Sequence, residues 1–365
     1  MSIKKASQKN REFYKGKKVF VTGHTGFKGA WLTAMLHEIG ADSCGYALAA
    51  ESGSLFEKID GSSLIKSIIG DIRDFGKLKE VLCNFKPDIV IHFAAQAIVN
   101  DSFNNPKYTY ETNVMGTVNL LEVVRSCESI KSCLVVTTDK VYENKGGGAL
   151  YRETDRLGGI DPYSSSKTCM EFITDTYKQS YLLTDKRHIG VSTARASNVI
   201  GGGDYVQTRL IPSILNSFIQ NKDIELRNPD QTRPWQSVLD ALNGYLSITR
   251  LAYQVPERYS SQWNIGPLKE GIRTVLEVVR KMQHYYYKRD VDYVKTKTFS
   301  VVESKTLGLD ITKSLKQLDW RPELSLDQML YELVDFFKQQ QAGKSEQSIV
   351  MRQVRDFVKE DTIGE

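Results

Sequence analysis

Tyr163 and Lys167 are the pair of residues whose types and spacing most directly indicate chemistry. They stand four residues apart, after Asp161 and Pro162, residue types that cap and begin a helix. One helical turn then places an ammonium group beside a phenol. A free phenol, with a pKa of about 10, is a poor base at neutral pH, and a fixed cation is expected to lower that pKa. The pair predicts a tyrosine that removes a proton from a hydroxyl group while hydride leaves the same carbon.

Further polar residues follow the apolar run Leu134–Thr137. Thr138 is expected to hydrogen-bond the hydroxyl that Tyr163 deprotonates. Asp139 and Lys140 come next, so that an acid and a base stand side by side. They add a second proton-transfer function to the first.

A glycine-rich segment lies between a predicted buried strand and a predicted helix. Glycines permit a tight turn and close backbone approach to a pyrophosphate, and the helix N-terminus supplies free N–H groups. Lys28 adds a point charge to the phosphates or else points to solvent. The predicted cofactor-binding residues of this segment are Gly23, His24, Thr25, Gly26, Phe27, Lys28 and Gly29.

Short β-branched runs alternate with helical patterns through the first two hundred residues. This alternation predicts an α/β fold, a doubly wound parallel sheet of the Rossmann type, with ligands at the carboxyl ends of the strands. Glycines and prolines after residue 200 indicate a smaller mixed α/β substrate lobe. The predicted boundaries are 15–200 with a return at about 235–265, 201–340, and a C-terminal tail at 341–365.

The 365-residue chain carries a net charge of only +5. A basic arm before residue 18 is expected to be a solvated leader, the alternative being a nucleic-acid or lipid contact. Five scattered cysteines and five histidines show no metal-ligand spacing, so we expect no metal, no disulfide framework and free thiols. No apolar run is long enough for a membrane span or a secretory signal, which predicts a cytoplasmic protein without a membrane partner.

The chain resembles the extended short-chain dehydrogenase/reductase family and, within it, the nucleotide-sugar 4,6-dehydratases. The similarity covers most of residues 15–325. It is carried by the segments GHTGFKG, GDIRDF, TDKVYEN, IDPYSSSK and IGGGD. The Asp139-Lys140 pair is similar to the branch that acts on CDP-glucose, whereas most relatives carry Asp-Glu.

The resemblance implies dehydration of CDP-glucose to CDP-4-keto-6-deoxyglucose by internal hydride transfer through bound NAD. Tyr163 would take the C4 hydroxyl proton, Lys140 the C5 proton, and Asp139 would protonate the departing C6 hydroxyl. A homo-oligomer, either a dimer or a tetramer, is expected, with the Pro106–Cys127 and Pro162–Leu183 helices pairing across the seam.

The resemblance also assigns residues outside the first two motifs. The further cofactor contacts are Asp71, Ile72, Phe93, Ala94, Ala95, Gln96, Asn113 and Thr137, together with Tyr163 and Lys167. The substrate contacts are Asn198, Arg209, Arg227 and Arg233, with an interdomain ion pair as the alternative for Arg209 and Arg233. The strand before Ala49 ends without the acid that selects NAD over NADP.

Three alternatives stay open on the sequence alone. A nucleotide-sugar 4-epimerase, or a 4,6-dehydratase for a UDP-, dTDP- or GDP-sugar, uses the same scaffold. A regulatory protein that binds the cofactor without turnover needs the glycine loop but not the acid–base set. A nucleic-acid-binding role depends only on the basic arm and predicts salt-sensitive retention on DNA.

Overall fold

A computed structural model describes residues 5–144, 150–206, 209–226, 228–288, 294–296 and 308–359. The strands are β1 Lys18–Thr22, β2 Asp42–Ala47, β3 Lys66–Ile69, β4 Ile89–His92, β5 Ser132–Val136, β6 Leu150–Tyr151, β7 Gly190–Ala196, β8 Val199–Ile200, β9 Ile224–Leu226, β10 Thr232–Pro234, β11 Gln236–Ser237, β12 Gln262–Ile265, β13 Ile272–Thr274, β14 Val294–Thr296 and β15 Gly308–Leu309.

The α-helices are α1 Ala6–Tyr14, α2 Phe27–Glu38, α3 Leu55–Lys58, α4 Gly61–Leu64, α5 Phe75–Phe85, α6 Val99–Asn104, α7 Pro106–Tyr110, α8 Gly116–Ser126, α9 Pro162–Tyr177, α10 Leu210–Ile219, α11 Val238–Gln254, α12 Pro256–Tyr259, α13 Val275–Tyr287, α14 Thr312–Gln317, α15 Leu326–Gln341 and α16 Glu346–Val358. Two π-helical segments, Glu111–Met115 and Lys178–Leu182, continue the long helices on either side of the predicted seam.

Seven parallel strands form the central sheet in the order β12-β7-β5-β4-β1-β2-β3. The order reverses between β1 and β4, which is the crevice where doubly wound sheets bind their ligands. The predicted fold class is therefore confirmed. The segment around 235–265 contains α11 and the edge strand β12, while the lobe boundaries themselves stay a prediction.

Two hydrophobic clusters cover opposite faces of this sheet, because successive side chains of a strand point to opposite sides. In β1, Val21 packs with the cluster that includes α2, α11 and α16, whereas Phe20 packs with the cluster that includes α5, α8 and α9. The two clusters fix the helices that carry the loops at the carboxyl edge.

The basic arm is not a solvated leader. Its helix α1 packs on α11, where Tyr14 is fully buried and its hydroxyl hydrogen-bonds the Leu246 carbonyl at 3.1 Å. The Asn10 amide donates to Asn243 Oδ1 at 2.7 Å. The lysines alternate with buried positions, so this segment is an amphipathic helix. The prediction failed because it considered the number of basic residues and not their spacing.

The C-terminal segment also packs on the cofactor half of the sheet. Helix α16 contacts α2, and Ile349, Val350 and Val354 are buried there. Arg355 pairs with Glu38 of α2 at 3.2 Å. Only residues 342–345 separate α15, which ends at Gln341, from α16, which begins at Glu346.

One cysteine prediction is wrong. Cys83, in α5, and Cys127, after α8, are joined by a disulfide with their Cα atoms 5.7 Å apart. They are 44 residues apart in sequence, so only the packing of α5 on α8 brings them together. Cys44, Cys133 and Cys169 are free.

Within the described ranges, every helix is too short or too polar to cross a lipid bilayer.

Candidate active site

The glycine-rich turn connects β1 to α2 at the carboxyl edge of the sheet. Gly23 has a φ of +75°, and a Cβ atom there would lie 2.6 Å from the Ala94 backbone nitrogen. Gly26 faces open space, since its nearest neighbour to an added Cβ would be the Gly23 carbonyl at 3.5 Å. Helix α2 begins at Phe27, so its first N–H groups point toward that space. The turn is shaped as a cradle for an anionic group.

Two polar side chains of this turn are directed inward. The His24 imidazole is buried and hydrogen-bonds Ser67 Oγ at 2.7 Å, and burial lowers its pKa to about 4. Lys28 is half-buried near Asp139 and Tyr245, and burial lowers its pKa to about 8. The alternative in which Lys28 points to solvent is therefore wrong. The other ring nitrogen of His24, Nδ1, is buried and has no hydrogen-bond partner among the described residues. Nearby, the Thr25 hydroxyl donates to the Leu48 carbonyl.

The small-residue turn after β4 runs alongside the glycine-rich turn. The backbone N–H of Phe93 donates to the Thr22 carbonyl at 3.0 Å, and that of Ala94 donates to the Thr22 hydroxyl at 3.2 Å. Phe93, Ala94, Ala95 and Gln96 are all half-buried. Side-chain Oε1 of Gln96 is buried and has no partner among the described residues. An orphaned acceptor beside a phosphate cradle fits a bound dinucleotide.

Asn113 supports this turn from behind. Its amide accepts from the Gln96 backbone N–H at 2.8 Å and donates to the Gln96 carbonyl and to Ser166 Oγ. Asn113 is fully buried within the π-helical segment Glu111–Met115, a wide turn of the type that often marks functional sites. Its polar atoms are thus engaged with the protein. The structure places it as the link between the turn and α9.

Asp71 and Ile72 lie after β3, at the edge predicted for adenine. The Asp71 carboxylate accepts from Arg73 Nη2 at 2.7 Å and from the Arg73 backbone N–H at 2.9 Å, and the first of these bonds lowers its pKa. Ile72 is buried against Gly116 of α8. Asp71 is therefore held in one orientation by its neighbour.

Thr138, Asp139 and Lys140 form a short turn directly after β5. The Thr138 hydroxyl donates to Asp139 Oδ1 at 3.0 Å and accepts from the Lys140 backbone N–H at 3.4 Å. Asp139 is buried, whereas the Lys140 side chain is 35% exposed with its Nζ 4.0 Å from Asp139 Oδ1. The acid is therefore fixed, and the amine reaches into the cleft from its rim.

Tyr163 and Lys167 reach the same place from the first turns of α9, which Asp161 caps by accepting from the Ser164 N–H at 2.9 Å. Thr138 hydrogen-bonds the Tyr163 phenol, so the two proton-transfer groups meet at one threonine. Lys167 Nζ donates to the Val136 carbonyl at 3.2 Å.

The pKa of Tyr163 differs from the prediction. Burial raises the pKa of this phenol to about 12, and the Thr138 hydrogen bond only partly offsets that rise. Lys167 does not lower it, because its amine is turned toward Val136 and burial reduces its own pKa to about 7. The expected lowering of the phenol pKa is therefore wrong for this arrangement.

The predicted substrate residues lie on the other side of the cleft. Arg209, just before α10, pairs with Asp204 at 2.8 Å and is close enough to Tyr163 and Lys28 to affect their pKa values. Arg233 of β10 donates to Gln231 Oε1 at 2.8 Å. Asn198 is half-buried, and its carbonyl accepts from Gln236. Arg227 lies outside the described residues.

Sequence reasoning missed three residues near this centre. Glu171 and Arg195 form a buried ion pair at 3.0 Å beneath the Thr138 turn. Tyr245 of α11 is buried near Tyr163 and Asp139, its ring lies 5.8 Å from that of Phe93, and its hydroxyl has no partner in the described part of the chain. Their helical and strand positions read as ordinary core, so no local signal distinguished them.

Comparison with known proteins places this constellation in a family. The family model described as GDP-mannose 4,6 dehydratase matches residues 20–333. CDP-glucose 4,6-dehydratase of Salmonella typhimurium is 41% identical over 357 residues, which cover 97% of this chain and 99% of the relative. The chain belongs to the GDP-mannose 4,6-dehydratase family.

Two further relatives are less similar to this chain. Human dTDP-D-glucose 4,6-dehydratase is 26% identical over 344 residues, covering 88% of this chain and 90% of the relative. The crystal structure of dTDP-glucose 4,6-dehydratase from Bacillus anthracis in complex with NAD superposes with a TM-score of 0.73 at 25% identity, covering 90% of this chain and 98% of that one. As a member of the family the chain is an enzyme.

Proposed function

We propose that this enzyme removes water from CDP-glucose to give CDP-4-keto-6-deoxyglucose, with NAD as a resident cofactor. The observation that carries the proposal is the position of the Asp139 carboxyl and the Lys140 amine beside the Tyr163–Thr138 pair. A 4-epimerase needs only the second pair, because it moves no proton at C5 or C6. The 41% identity to CDP-glucose 4,6-dehydratase supports the nucleotide.

The residues available to hold NAD are the Gly23–Gly29 turn, the Phe93–Gln96 turn and the Asp71–Ile72 edge. The open space above Gly26 and the orphaned Gln96 Oε1 fit such a ligand. When bound, NAD supplies a hydride acceptor for C4, a hydride donor for C6 and a positively charged ring. The sequence leaves discrimination against NADP open, since β2 ends without an acid.

Tyr163 is the proposed base for the C4 hydroxyl, and Thr138 the group that orients that hydroxyl. A buried phenol with a pKa of about 12 responds strongly to positive charge brought beside it, because the low-dielectric surroundings screen little. Lys167 is the nearby amine that can supply this charge on turning from the Val136 carbonyl. Its pKa of about 7 means that it also exchanges protons readily near neutral pH.

Water loss is assigned to the two residues next to Thr138. Once C4 is a ketone, the C5 proton is acidified and Lys140 removes it. Asp139 gives its proton to the departing C6 hydroxyl, which leaves as water. C6 would then take back the hydride held by the cofactor, while Lys140 returns a proton to C5. The proton that Tyr163 took from the C4 hydroxyl balances the one that Asp139 gave to water, and its transfer from Tyr163 to Asp139 resets both residues.

Arg209 and Arg233 are the proposed diphosphate clamp, with Asn198 at the strand-end loop. Guanidinium groups bind phosphate oxygens bidentately, which a lysine cannot do. Arg209 is 43% exposed and pairs with Asp204 at 2.8 Å, so its guanidinium can rotate onto a phosphate. Arg227 keeps the same proposed role on sequence grounds.

The test is to incubate the protein with NAD and with CDP-, UDP-, dTDP- or GDP-glucose in separate reactions. We expect a loss of about 18 mass units, one water, from CDP-glucose alone. Loss of water from another nucleotide sugar would show that the enzyme acts on a different nucleotide. An unchanged mass with a new C4 epimer would show that the enzyme is an epimerase.

We also propose a homo-oligomer in the cytoplasm, where nucleotide sugars and NAD are made and used. Large apolar side chains are exposed on α7, α9 and the two π-helical segments, namely Tyr110, Met115, Phe172 and Tyr181. A second copy that pairs the same helices would cover them. Phe172→Asp is expected to reduce the particle mass measured by light scattering, and an unchanged mass would contradict this seam.

A further inference from the structure

A buried ion pair lies beneath the catalytic turn. Glu171 stands one helical turn after Lys167 on α9, and Arg195 lies on β7, between β5 and the edge strand β12 of the main sheet. Both residues are 2% exposed, and Arg195 Nη2 is 3.0 Å from Glu171 Oε2. A buried pair of this kind is a weak source of stability, because desolvation offsets the attraction between the charges. Its value lies in the directed hydrogen bonds that it makes.

Glu171 contacts the residue that precedes the catalytic turn. Its Oε1 accepts a short hydrogen bond from the hydroxyl of Thr137. Its Oε2 accepts from the Thr193 hydroxyl at 2.6 Å as well as from Arg195. One carboxylate on α9 therefore joins the end of β5 to β7.

Arg195 contacts the residue that ends the same turn. Its Nη1 donates to the Tyr142 hydroxyl at 2.8 Å and to the Glu153 carbonyl at 3.2 Å, and its guanidinium lies 4.9 Å from the Tyr142 ring centroid. The ion pair thus grips residues 137 and 142, one on each side of Thr138, Asp139 and Lys140.

We propose that Glu171 and Arg195 are positioning residues, which hold the Asp139–Lys140 acid–base pair at a fixed distance from Tyr163 and Lys167. Glu171 is part of the helix that carries Tyr163 and Lys167, and the pair is tied to both ends of the turn that carries the acid and the base. The same buried ion pair thereby fixes the position of the residues for both proton-transfer stages. This inference rests on the roles proposed above for the four residues.

The chain offers a matched pair of substitutions that separates positioning from stability. Thr137 and Thr193 each donate one hydroxyl hydrogen bond to Glu171, and both are buried. Only Thr137 leads into the catalytic turn. Thr137→Val and Thr193→Val remove the same group from the same carboxylate, and each leaves Glu171 with Arg195 and the other threonine.

We expect Thr137→Val to lower kcat for water loss by about 10- to 100-fold with KM within about twofold, since an error of about 1 Å in catalytic geometry has effects of this size. Thr193→Val should stay within about threefold of the parent, and both variants should lose a similar few degrees of Tm, of the order expected for one hydrogen bond. Thr137→Ser restores the hydroxyl and should recover activity to within about threefold, because the donor to Glu171 returns.

Equal kcat values for the two valine variants, or a Thr137→Ser variant as slow as Thr137→Val, would overturn the positioning role. A parent protein that does not dehydrate CDP-glucose would instead contradict the proposed function. The two failures are therefore distinguishable in one set of assays.

Discussion

The glycine-rich turn and the acid–base cluster are built on different principles, although both lie at the carboxyl edge of the sheet. The turn Gly23–Gly29 works through missing side chains: backbone passes close to backbone, and helix N–H groups are left open. The cluster around Thr138 and Tyr163 works through buried polar groups held by other buried polar groups. A turn of the first kind can be damaged by adding atoms, and a cluster of the second kind by removing them.

This difference predicts where each region fails. Damage to the turn is expected to weaken cofactor binding and folding together, since both need the same close backbone contact with Ala94. Damage to the cluster is expected to reduce the rate while binding and folding persist. The following substitutions test that separation, in order of decreasing expected effect.

Tyr163→Phe should lower dehydration by about 10³-fold, within the range found for loss of a general base. The change removes one buried hydroxyl, so Tm and NAD affinity, measured by fluorescence titration, should stay close to those of the parent. Tyr177→Phe is the control, since it removes a hydroxyl that hydrogen-bonds Glu122 away from the cleft. Similar dehydration rates for the two variants would show that Tyr163 is not the general base.

Lys140→Met should lower water loss by about 100-fold, a typical contribution of a positioned base. Oxidation at C4 uses Tyr163 and Thr138, so the absorbance of reduced cofactor should still appear on mixing with substrate. Lys79→Met, at an exposed position of α5, is the matched control. Full dehydration by Lys140→Met would remove Lys140 from its role.

Gly23→Ala should weaken NAD binding by about tenfold or more and lower Tm, because the new Cβ would lie 2.6 Å from the Ala94 nitrogen. Gly53→Ala is an informative control. Gly53 has nearly the same φ, +74°, with nothing within 4 Å of an added Cβ, so it carries only the backbone strain, about 1 kcal/mol. Equal losses of Tm in the two variants would show that strain, and not the Ala94 contact, dominates.

The free energy of unfolding should depend on pH because the amine of Lys167 is buried in the folded protein. Burial lowers the pKa of Lys167 from its ordinary value of 10.5 to about 7. Between those values the unfolded chain binds more protons than the folded protein, so the free energy of unfolding should rise from pH 7 to about pH 8.5. Lys28, with a pKa lowered to about 8, contributes in the same direction.

Lys167→Met should make that rise smaller, as measured by urea unfolding at several pH values. An unchanged slope would contradict a neutralised Lys167 in the folded protein. The expected effect is the smallest of the four, because Lys28 still titrates in the variant.

The same contrast explains what the sequence could predict. The glycine spacing and the Tyr163–Lys167 spacing each involve residues that lie within about two helical turns of one another. The structure confirms the local prediction for both, since the glycine-rich segment leads into α2 and the Tyr163–Lys167 pair lies in α9. The Thr137–Glu171–Arg195 joint, the docking of α1 on α11 and the Cys83–Cys127 pair depend on separations of 24 residues or more along the chain. Local periodicity carries no record of such distances.

The Tyr163 pKa illustrates the limit most clearly. The helical spacing correctly puts an amine one turn from the phenol. The pKa of the phenol depends instead on the rotamer of Lys167 and on the depth of burial. These quantities depend on the Val136 carbonyl and on the packing of α9 against β5. The pattern therefore located the pair without determining its electrostatics.

Dehydration in heavy water tests the central claim most directly, since it follows the protons that Lys140 and Asp139 are assigned to move. The product from CDP-glucose should have lost one water and gained one solvent deuterium at C5. C6 should carry no deuterium, because the hydrogen added there is the substrate's own C4 hydride. A product of unchanged mass without deuterium at C5 would contradict the account.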